Sequence, residues 1–591
     1  MGFRVIGAFH AWRSTVFTHF IDKRYLIANP YIDDQQYLQH ILGLAAKYQP
    51  LILPVGFIDV AILSQHRTQL PHGAILLAPE IDSLERAADK ATLDSLCQNA
   101  GVRYPQTVPI NDKSWEHAME IVGLPLVVKS TTDEACPEYA FTKNQLQRIV
   151  KARKGPLIAQ EFVSGWGTGY FAIAHNGHIV AEYAHRRIVE EQPSGGPSLV
   201  ACLSLDPHVV QLGRQIVTVL KWTGILMAEF RRQEESGEYY LLEINPKFWG
   251  SLELATSWGI DFPRLFIEAS LAEDARPQAE KRVQFTSSRI RGCFSWLLPG
   301  LTSYLRVNPK VWFRMLWHAM QRNNHTDIHL SDPAELVFGF STRLINAFRR
   351  RSGHRAKILW SKWKRNLYQL VVHIRQQDYG ALVFDVDGTL ANLNVDWRQV
   401  RANLVQRGLL PEFEPSVMVG LYQAQKQKHK RFETMSRIVG KYEQQAIQYQ
   451  LGKEPEIQRS FKQIQAEGIQ IGIISKQTEE NIQAVINRYE IADVVKVIVG
   501  RESGMARQNQ AAKALTALKV TPSETILIGD TVGDAVAAAR LGMAPVGVSQ
   551  HPYRFQQFIE LGIPSFNHVR EFLSLVTRII QSPKITKRKA N

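Results

Sequence analysis

The sequence predicts an α/β protein of several domains, and three observations carry that reading. The chain has 591 residues, too many for one hydrophobic core. A short apolar run, residues 381–384, ends in Asp385-Val386-Asp387-Gly388-Thr389, as a buried parallel strand does when it delivers carboxylates to its carboxyl end. Far upstream, residues 224–230 and 239–246 flank a polar turn around Ser236-Gly237 and read as a β-hairpin.

Composition bounds the rest. A hydrophobic share of 45% and a charged share of 21% describe an ordinary globular protein. No stretch reaches eighteen uninterrupted apolar residues, and Met1-Gly2-Phe3-Arg4-Val5-Ile6-Gly7 lacks a long apolar segment, so neither secretion nor a membrane span is expected. Cys97, Cys136, Cys202 and Cys293 lie far apart with no C-x-x-C pair, which fits a reducing, cytoplasmic setting. The formal charge of +15 is concentrated partly between Arg343 and Arg375, where about ten Lys or Arg residues occur without an acid, and in the tail Lys584-Ile585-Thr586-Lys587-Arg588-Lys589. With Trp360 and Trp363 inside it, the first of these reads either as a solvated linker helix or as a surface for nucleic acid or an anionic membrane. No nucleic-acid-binding signature accompanies it, and nucleic acid is not expected among the partners.

Near the start, Leu51-Ile52-Leu53-Pro54-Val55-Gly56 reads as a strand entering a turn. Asp89-Lys90 and Gly101-Val102-Arg103-Tyr104-Pro105 follow, then an apolar run ending at Lys129. After these come Gln160-Glu161-Phe162-Val163, His185-Arg186-Arg187 and Ser194-Gly195-Gly196-Pro197-Ser198. In the hairpin, Glu229 and Glu243 are equidistant from Ser236, so the simplest register sets them face to face with side chains roughly 5 Å apart. Opposed like charges destabilise a sheet. Asn245 shares the face of Glu243 and adds an amide oxygen, making a set that suits Mg²⁺ bridging nucleotide phosphates.

These fragments, in this order over about residues 30–344, resemble the ATP-grasp superfamily, in which two α+β lobes clamp ATP. The resemblance implies a Rossmann-like pre-ATP-grasp domain over 1–88, short of a first strand and helix, a two-lobed ATP-grasp domain over 89–275, and a carboxyl-terminal extension over 276–344. It implies ATP contacts by Lys90, Lys129, Gln160, Glu161, Val163, Glu229 and Glu243, ligation of Mg²⁺ or Mn²⁺ by Glu229, Glu243 and Asn245, and charge neutralisation by Arg187 and Lys247. The chain departs from the family in three places. Ser130-Thr131-Thr132-Asp133-Glu134 stands where many relatives have a glycine-rich loop over the phosphates, and Gly167 stands where a ribose-contacting acid is common. Lys247 replaces the arginine usual after Asn-Pro, losing a two-pronged grip on phosphate while keeping its charge. In the extension, His329 reads as a packed histidine rather than a ligand.

Residues 345–378 read as a basic helical linker. Beyond it, Asp385 and Asp387 share one strand face and repel each other unless a cation lies between them, a need that an arriving phosphate makes greater. Asp385 is placed to attack phosphorus, and Asp387 to protonate the leaving oxygen and then activate water. Residues 470–474 read as a second buried strand, ending at Ser475-Lys476, whose hydroxyl and ammonium can hold phosphoryl oxygens. A third, Ile526-Leu527-Ile528, ends in Gly529-Asp530-Thr531-Val532-Gly533-Asp534.

In order and spacing these motifs resemble the haloacid dehalogenase superfamily of phosphatases, over about residues 379–562. The resemblance implies a doubly wound parallel sheet over 379–570 with a small helical cap at 395–452, followed by a terminal helix end and basic tail at 571–591. It assigns the nucleophile to Asp385, acid and base to Asp387, phosphate binding to Ser475, and metal ligation to Asp385, Asp530 and the Asp387 backbone carbonyl, with Asp534 a ligand or a supporting partner. The lysine usual before the helix that precedes the last motif is missing from Gly504-Met505-Ala506-Arg507-Gln508-Asn509-Gln510, where Arg507 is the closest cation and Lys476 the substitute.

The expected protein is therefore bifunctional. An ATP- and Mg²⁺-dependent ligase joins a carboxylate to an amine through an acyl phosphate, and a phosphatase acts on a small phosphomonoester through an aspartyl phosphate. The alternative is a nucleotide- and phosphate-binding sensor or scaffold with one or both modules impaired, which the missing lysine and the poor glycine loop favour. The expected partners are small-molecule carboxylate, amine and phosphomonoester substrates, with a homo-oligomer left open.

Overall fold

A computed structural model of the chain describes residues 3–10, 20–90, 93–131, 137–153, 155–192, 195–204, 206–271, 292–304, 308–321, 323–328, 351–376 and 379–581. Ser194, His329, most of the loop 130–134, the start of the basic segment from Arg343 and the tail beyond 581 lie outside the described residues. The chain forms two compact units that do not follow sequence order. The first comprises Met1–Pro105, Trp166–Arg232 and Tyr239–Ala356, and the second Gln106–Gly165, Gln233–Glu238 and Lys357–Asn591.

In the first unit the described part of residues 1–88, expected to be Rossmann-like, forms two separate two-stranded parallel sheets, Ile6–Phe9 with Lys23–Leu26 and Leu51–Ile52 with Ile75–Leu76, beside helices Asp34–Tyr48 and Phe57–Gln65. The larger element is a seven-stranded sheet in the order Tyr239–Asn245, Gly224–Gln233, Gly165–His175, His178–Gln192, Gly195–Leu203, Cys293–Ser295, His325–Thr326. Its central strands are buried on both faces. Tyr170, Ala172 and Ala174 pack with Trp222 and Ile216 on one side, whereas Phe171 and Ile173 pack with Trp249, Phe262 and Phe266 on the other. The period-two alternation of a strand thus feeds two cores, which is why these runs read as continuous apolar stretches. Cys202 and Cys293 stand directly opposite on adjacent antiparallel strands and are joined by a disulfide. Strand pairing brings together two cysteines that are 91 residues apart, a proximity their spacing does not reveal.

The second unit holds two sheets. A four-stranded antiparallel sheet, ordered Thr107–Ile110, Leu157–Glu161, Leu126–Ser130, Glu138–Ala140, is covered by helices Trp115–Val122 and Lys143–Ala152. A six-stranded parallel sheet runs Val495–Val499, Gln470–Ile474, Ala381–Phe384, Thr525–Gly529, Ala544–Val548, Ser565–Phe566. Leu382 and Phe384 face Phe461, Ile482 and Phe572 on one side, and Ala381 and Val383 face Ala511, Leu515 and Ala538 on the other, so helices cover both faces of a doubly wound sheet. Between the first and second of these strands in sequence, helices Trp397–Gln406, Val417–Lys426 and Arg431–Gln450 close a core of their own around Leu404, Leu421, Met435 and Val439.

Two features of this unit differ from the sequence reading. The basic segment is not a solvated linker, because helix Arg351–Gln376 sinks Leu370 and Ile374 into the core of the parallel sheet and Trp363 donates its indole N–H to the Ser565 carbonyl at 3.0 Å. Its apolar stripe is hidden in the sequence by the lysines and arginines between. The other difference is that Val127, Phe141 and Phe162 of the antiparallel sheet region share a hydrophobic cluster with Val532, Val536, Phe558 and Leu561. Among the described residues no helix is long and apolar enough to cross a membrane.

Phe558 is fully buried at the centre of that shared cluster. Phe558→Ala is expected to cost about 3–5 kcal/mol and to lower the thermal midpoint of the unfolding transition; an unchanged midpoint in calorimetry would show that the cluster does not bind the two sheet regions together.

Candidate active sites

The parallel sheet explains where the first site lies. Chain order reverses between Ala381–Phe384 and Thr525–Gly529, so a crevice opens past their carboxyl ends, and Asp385 and Asp530 leave the sheet there. The Asp385 N–H donates to Ile528 O at 2.9 Å, prolonging the strand up to the carboxylate. Gly388 turns the chain with φ +82°, and a Cβ at that position would come within 2.5 Å of Asp530 Oδ2. A side chain at 388 would therefore fill the space the carboxylates share. Thr531 caps the next helix and fixes Asp534, whose Oδ2 accepts from the Thr531 N–H at 3.0 Å and hydroxyl at 2.7 Å.

One oxygen each from Asp385, Asp530 and Asp534 lie within 4.8 Å of one another, a donor set that fits an oxygen-preferring divalent cation. The Asp387 carboxylate instead accepts the Leu393 N–H at 3.1 Å. Burial first of all pushes Asp385, Asp387 and Asp530 up to about 7; for Asp385 the Arg507 guanidinium opposes that rise, while Asp534 and Asp530 add to it. Ser475, buried at the end of Gln470–Ile474, accepts the Gln477 N–H on its hydroxyl at 3.2 Å, and Gln510 holds its carbonyl at 2.8 Å.

A divalent ion is not the sole means of balancing these acids, as the sequence alone suggests. Arg507, in the first turn of helix Arg507–Leu518, donates Nη2 to Asp385 Oδ1 at 2.8 Å and brings Nε within 2.6 Å of Asp534 Oδ1. Arg554 pairs with Asp530 Oδ2. Arg554 and Gln510 escape the sequence reading, as do Glu234 and Glu235. Glu235 Oε1 accepts the Arg507 backbone N–H at 3.0 Å and lies 3.2 Å from Lys476 Nζ. No local motif marks a contact between residues 272 positions apart.

In the first unit Glu229 pairs with Glu243, the partner expected from their equal spacing about Ser236, but a register shift between Glu229 and Phe230 moves the pairs nearer the turn out of that simplest register. Asn245 Nδ2 donates to Glu243 Oε1 at 2.9 Å, so the three stand together. Burial raises Glu229, with Arg187 opposing the rise and Glu243 adding to it. The buried Arg187 guanidinium lies 2.8 Å from Glu229 and 3.3 Å from Glu190, and donates to Gly196 O at 3.0 Å. Here too an arginine shares the balancing role. Lys247 follows just past the strand end, half-buried, and the Lys90 carbonyl accepts the Tyr104 hydroxyl at 2.8 Å.

The remaining nucleotide candidates belong to the second unit. Lys129 Nζ donates to Gln160 Oε1 at 2.6 Å, and Gln160 in turn donates to the Thr107 hydroxyl at 2.9 Å. Val163 is buried. Glu161 forms an ion pair with Arg540 at 2.7 Å, an attachment that a role at adenine and ribose does not anticipate.

Residues 382–548 match the family described as haloacid dehalogenase-like hydrolase, and residues 180–291 match ATP-grasp in the biosynthetic pathway with Ter operon. A search of the curated proteins found no match. Among solved structures, the chain is similar to the biotin carboxylase domain of 2-oxoglutarate carboxylase from Hydrogenobacter thermophilus, at 17% identity and TM-score 0.40, covering 46% of this chain and 66% of that one. It is similar to the L-amino acid ligase from Bacillus licheniformis at 14% identity and TM-score 0.38, covering 46% and 68%. N5-carboxyaminoimidazole ribonucleotide synthetase from Thermus thermophilus follows at 17% and 0.34, covering 43% and 68%. The chain thus spans about two thirds of the length of these structures. On the family matches and the residues gathered above, the chain carries an ATP-grasp domain in its amino-terminal half and a haloacid dehalogenase-like hydrolase domain toward its carboxyl terminus.

Proposed function

We propose that the protein is bifunctional, a phosphomonoesterase in its carboxyl-terminal part and an ATP-dependent carboxylate–amine ligase in its amino-terminal half. The observation that carries the phosphatase reading is the convergence of Asp385, Asp530 and Asp534 oxygens within 4.8 Å at the switch point of the parallel sheet. An Asp385 oxygen attacks phosphorus and forms an aspartyl phosphate as the bond to the leaving oxygen breaks. Asp387, held near neutrality by burial, gives its proton to that oxygen, then takes one from the water that attacks the aspartyl phosphate, releasing inorganic phosphate and restoring Asp385. Ser475 and Lys476 orient the phosphoryl oxygens, and Arg507 holds Asp385 in line. Mg²⁺, bound by Asp385, Asp530 and the Asp387 carbonyl with Asp534 in support, would neutralise charge on the phosphoryl group.

In the ligase reading, Glu229, Glu243 and Asn245 would hold the Mg²⁺ of ATP, and Arg187 and Lys247 offset negative charge as the substrate carboxylate takes the γ-phosphoryl group with release of ADP and an amine then displaces inorganic phosphate from the acyl phosphate. The opposed pair Glu229 and Glu243 supports this. A second reading, phosphate sensing without turnover, is favoured by one observation: Arg507 engages both Asp385 and Asp534 where a lysine is usual.

Hydrolysis of p-nitrophenyl phosphate with Mg²⁺ separates these readings. Turnover is expected, and Asp385→Asn should reduce it by at least about 10³-fold; full activity in that variant would remove Asp385 as nucleophile, and tight phosphate binding by an inactive wild-type protein would favour sensing. Glu243→Ala should abolish ADP release in pooled amino acids and carboxylates yet leave phosphatase turnover intact, and loss of both activities in a well-folded variant would mean that the two sites are one.

Burial pushes Asp385, Asp387 and Asp530 from an ordinary 3.8 up to about 7, so between about pH 4 and 7 the folded state keeps protons that the unfolded chain has released. Their contribution is complete below the unfolded value and is lost as pH rises through the folded one. Because Mg²⁺ requires ionised carboxylates, the increase in Tm on adding it should grow from about pH 5 to pH 8. A Mg²⁺ shift that ignores pH would place the ion elsewhere.

A further inference from the structure

The hairpin turn Gln233–Glu238 belongs to the second unit and is held there from two sides. Glu234 N–H donates to Ser164 O at 3.3 Å. From helix Val417–Lys426 of the helical cap, Gln423 Nε2 donates to Ser236 O at 3.1 Å and Lys426 Nζ lies 3.6 Å from Glu238 Oε1. So anchored, the turn presents its two acids to the phosphatase motifs. Glu235 Oε1 takes the Arg507 N–H, at the start of an α-helix, together with the Lys476 ammonium. Glu234 Oε1 is covered from solvent without a hydrogen-bond partner, and it lies where a Cβ on Gly533 would come within 2.2 Å of it.

The chemistry of those two donors decides what the contact means. A helix-start N–H and an ammonium one residue past Ser475 are anion donors, suited to a phosphoryl oxygen. In the structure they already hold an anion, a carboxylate from the same chain. A phosphate dianion entering beside it would meet like charge from Glu235, and it cannot take the same donors while Glu235 keeps them.

We propose that the turn Glu234-Glu235 is an autoinhibitory plug of the phosphatase site, in which the Glu235 carboxylate occupies the place of a substrate phosphoryl oxygen on Lys476 and the Arg507 N–H until a phosphomonoester displaces it. The plug rests on the phosphatase reading for its substrate but not for its contacts. It makes phosphate affinity depend on the competition of one carboxylate, and it places the control of this site in a segment that precedes the hydrolase motifs by some 150 residues in the chain.

The test uses the full-length protein and the variants Glu235→Gln, which keeps shape and loses charge, and Glu235→Ala, which removes the competing group. Two measurements are made with Mg²⁺ present: steady-state hydrolysis of p-nitrophenyl phosphate, and calorimetric binding of inorganic phosphate. The expected result is a rise of about tenfold in phosphate affinity and in kcat/KM, mostly through KM, in both variants. Unchanged or weaker phosphate binding in both variants overturns the plug, and if the wild-type protein still hydrolyses substrate, the phosphatase reading survives that outcome. Conversely, tighter phosphate binding in the variants with no turnover in any protein sustains the plug while the phosphatase reading fails. Absence of phosphate binding in all three proteins overturns the proposal, since no anion site would then exist to be blocked.

Discussion

Both candidate sites depend on one constraint: several carboxylates are buried together, and each cluster needs positive charge at close range. Asp385, Asp530 and Asp534 converge on one point with Arg507 and Arg554 against them, and Glu229 and Glu243 face each other with Arg187 on one side. Charges removed from water are tolerable only when paired and hydrogen-bonded. An arginine suits this role because its planar fork serves two acids at once, as Arg507 does for Asp385 and Asp534 and Arg187 for Glu229 and Glu190.

The balance is incomplete, and that is chemically useful. Burial outweighs the guanidinium at Asp385 and leaves Asp387 and Asp530 raised as well, so the carboxylates retain an affinity for further positive charge. The same burial that destabilises them as anions prepares Asp387 to carry a proton near neutral pH. Backbone geometry holds the arrangement open, since Gly388 leaves the space beside Asp530 that any Cβ would close, and Thr531 fixes Asp534 through its capping box.

The antiparallel sheet of the second unit packs beside the elements that carry the Asp385–Asp530–Asp534 cluster rather than standing apart. Phe162 and Val127 share a cluster with Val532, Val536 and Phe558, which lie on helices flanking the last motif, and Glu161 is tied to Arg540 on the helix that begins beside Asp534. Glu161, which the ATP-grasp resemblance assigns to a nucleotide, is thus tied to the hydrolase domain by an ion pair, while its neighbour Phe162 packs against that domain. The turn Gln233–Glu238 adds a third connection through the Glu235 carboxylate.

Much of the fold and of both acidic clusters is legible in the sequence, because each depends on local pattern. The apolar runs ending at Asp385, Ser475 and Asp530 are strands of a buried parallel sheet, and Glu229 does face Glu243, although a register shift between Glu229 and Phe230, invisible in the sequence, lies between that pair and the turn. Tertiary structure alone decided the partners of those acids. Arg554 and Glu235 carry no motif, the Cys202–Cys293 bond follows from a strand pairing across 91 residues, and the burial of Leu370 and Ile374 is masked by the charges around them. Periodicity reports which face of an element is apolar, but a counter-charge brought from elsewhere in the chain depends on how the elements assemble, and no local pattern records that.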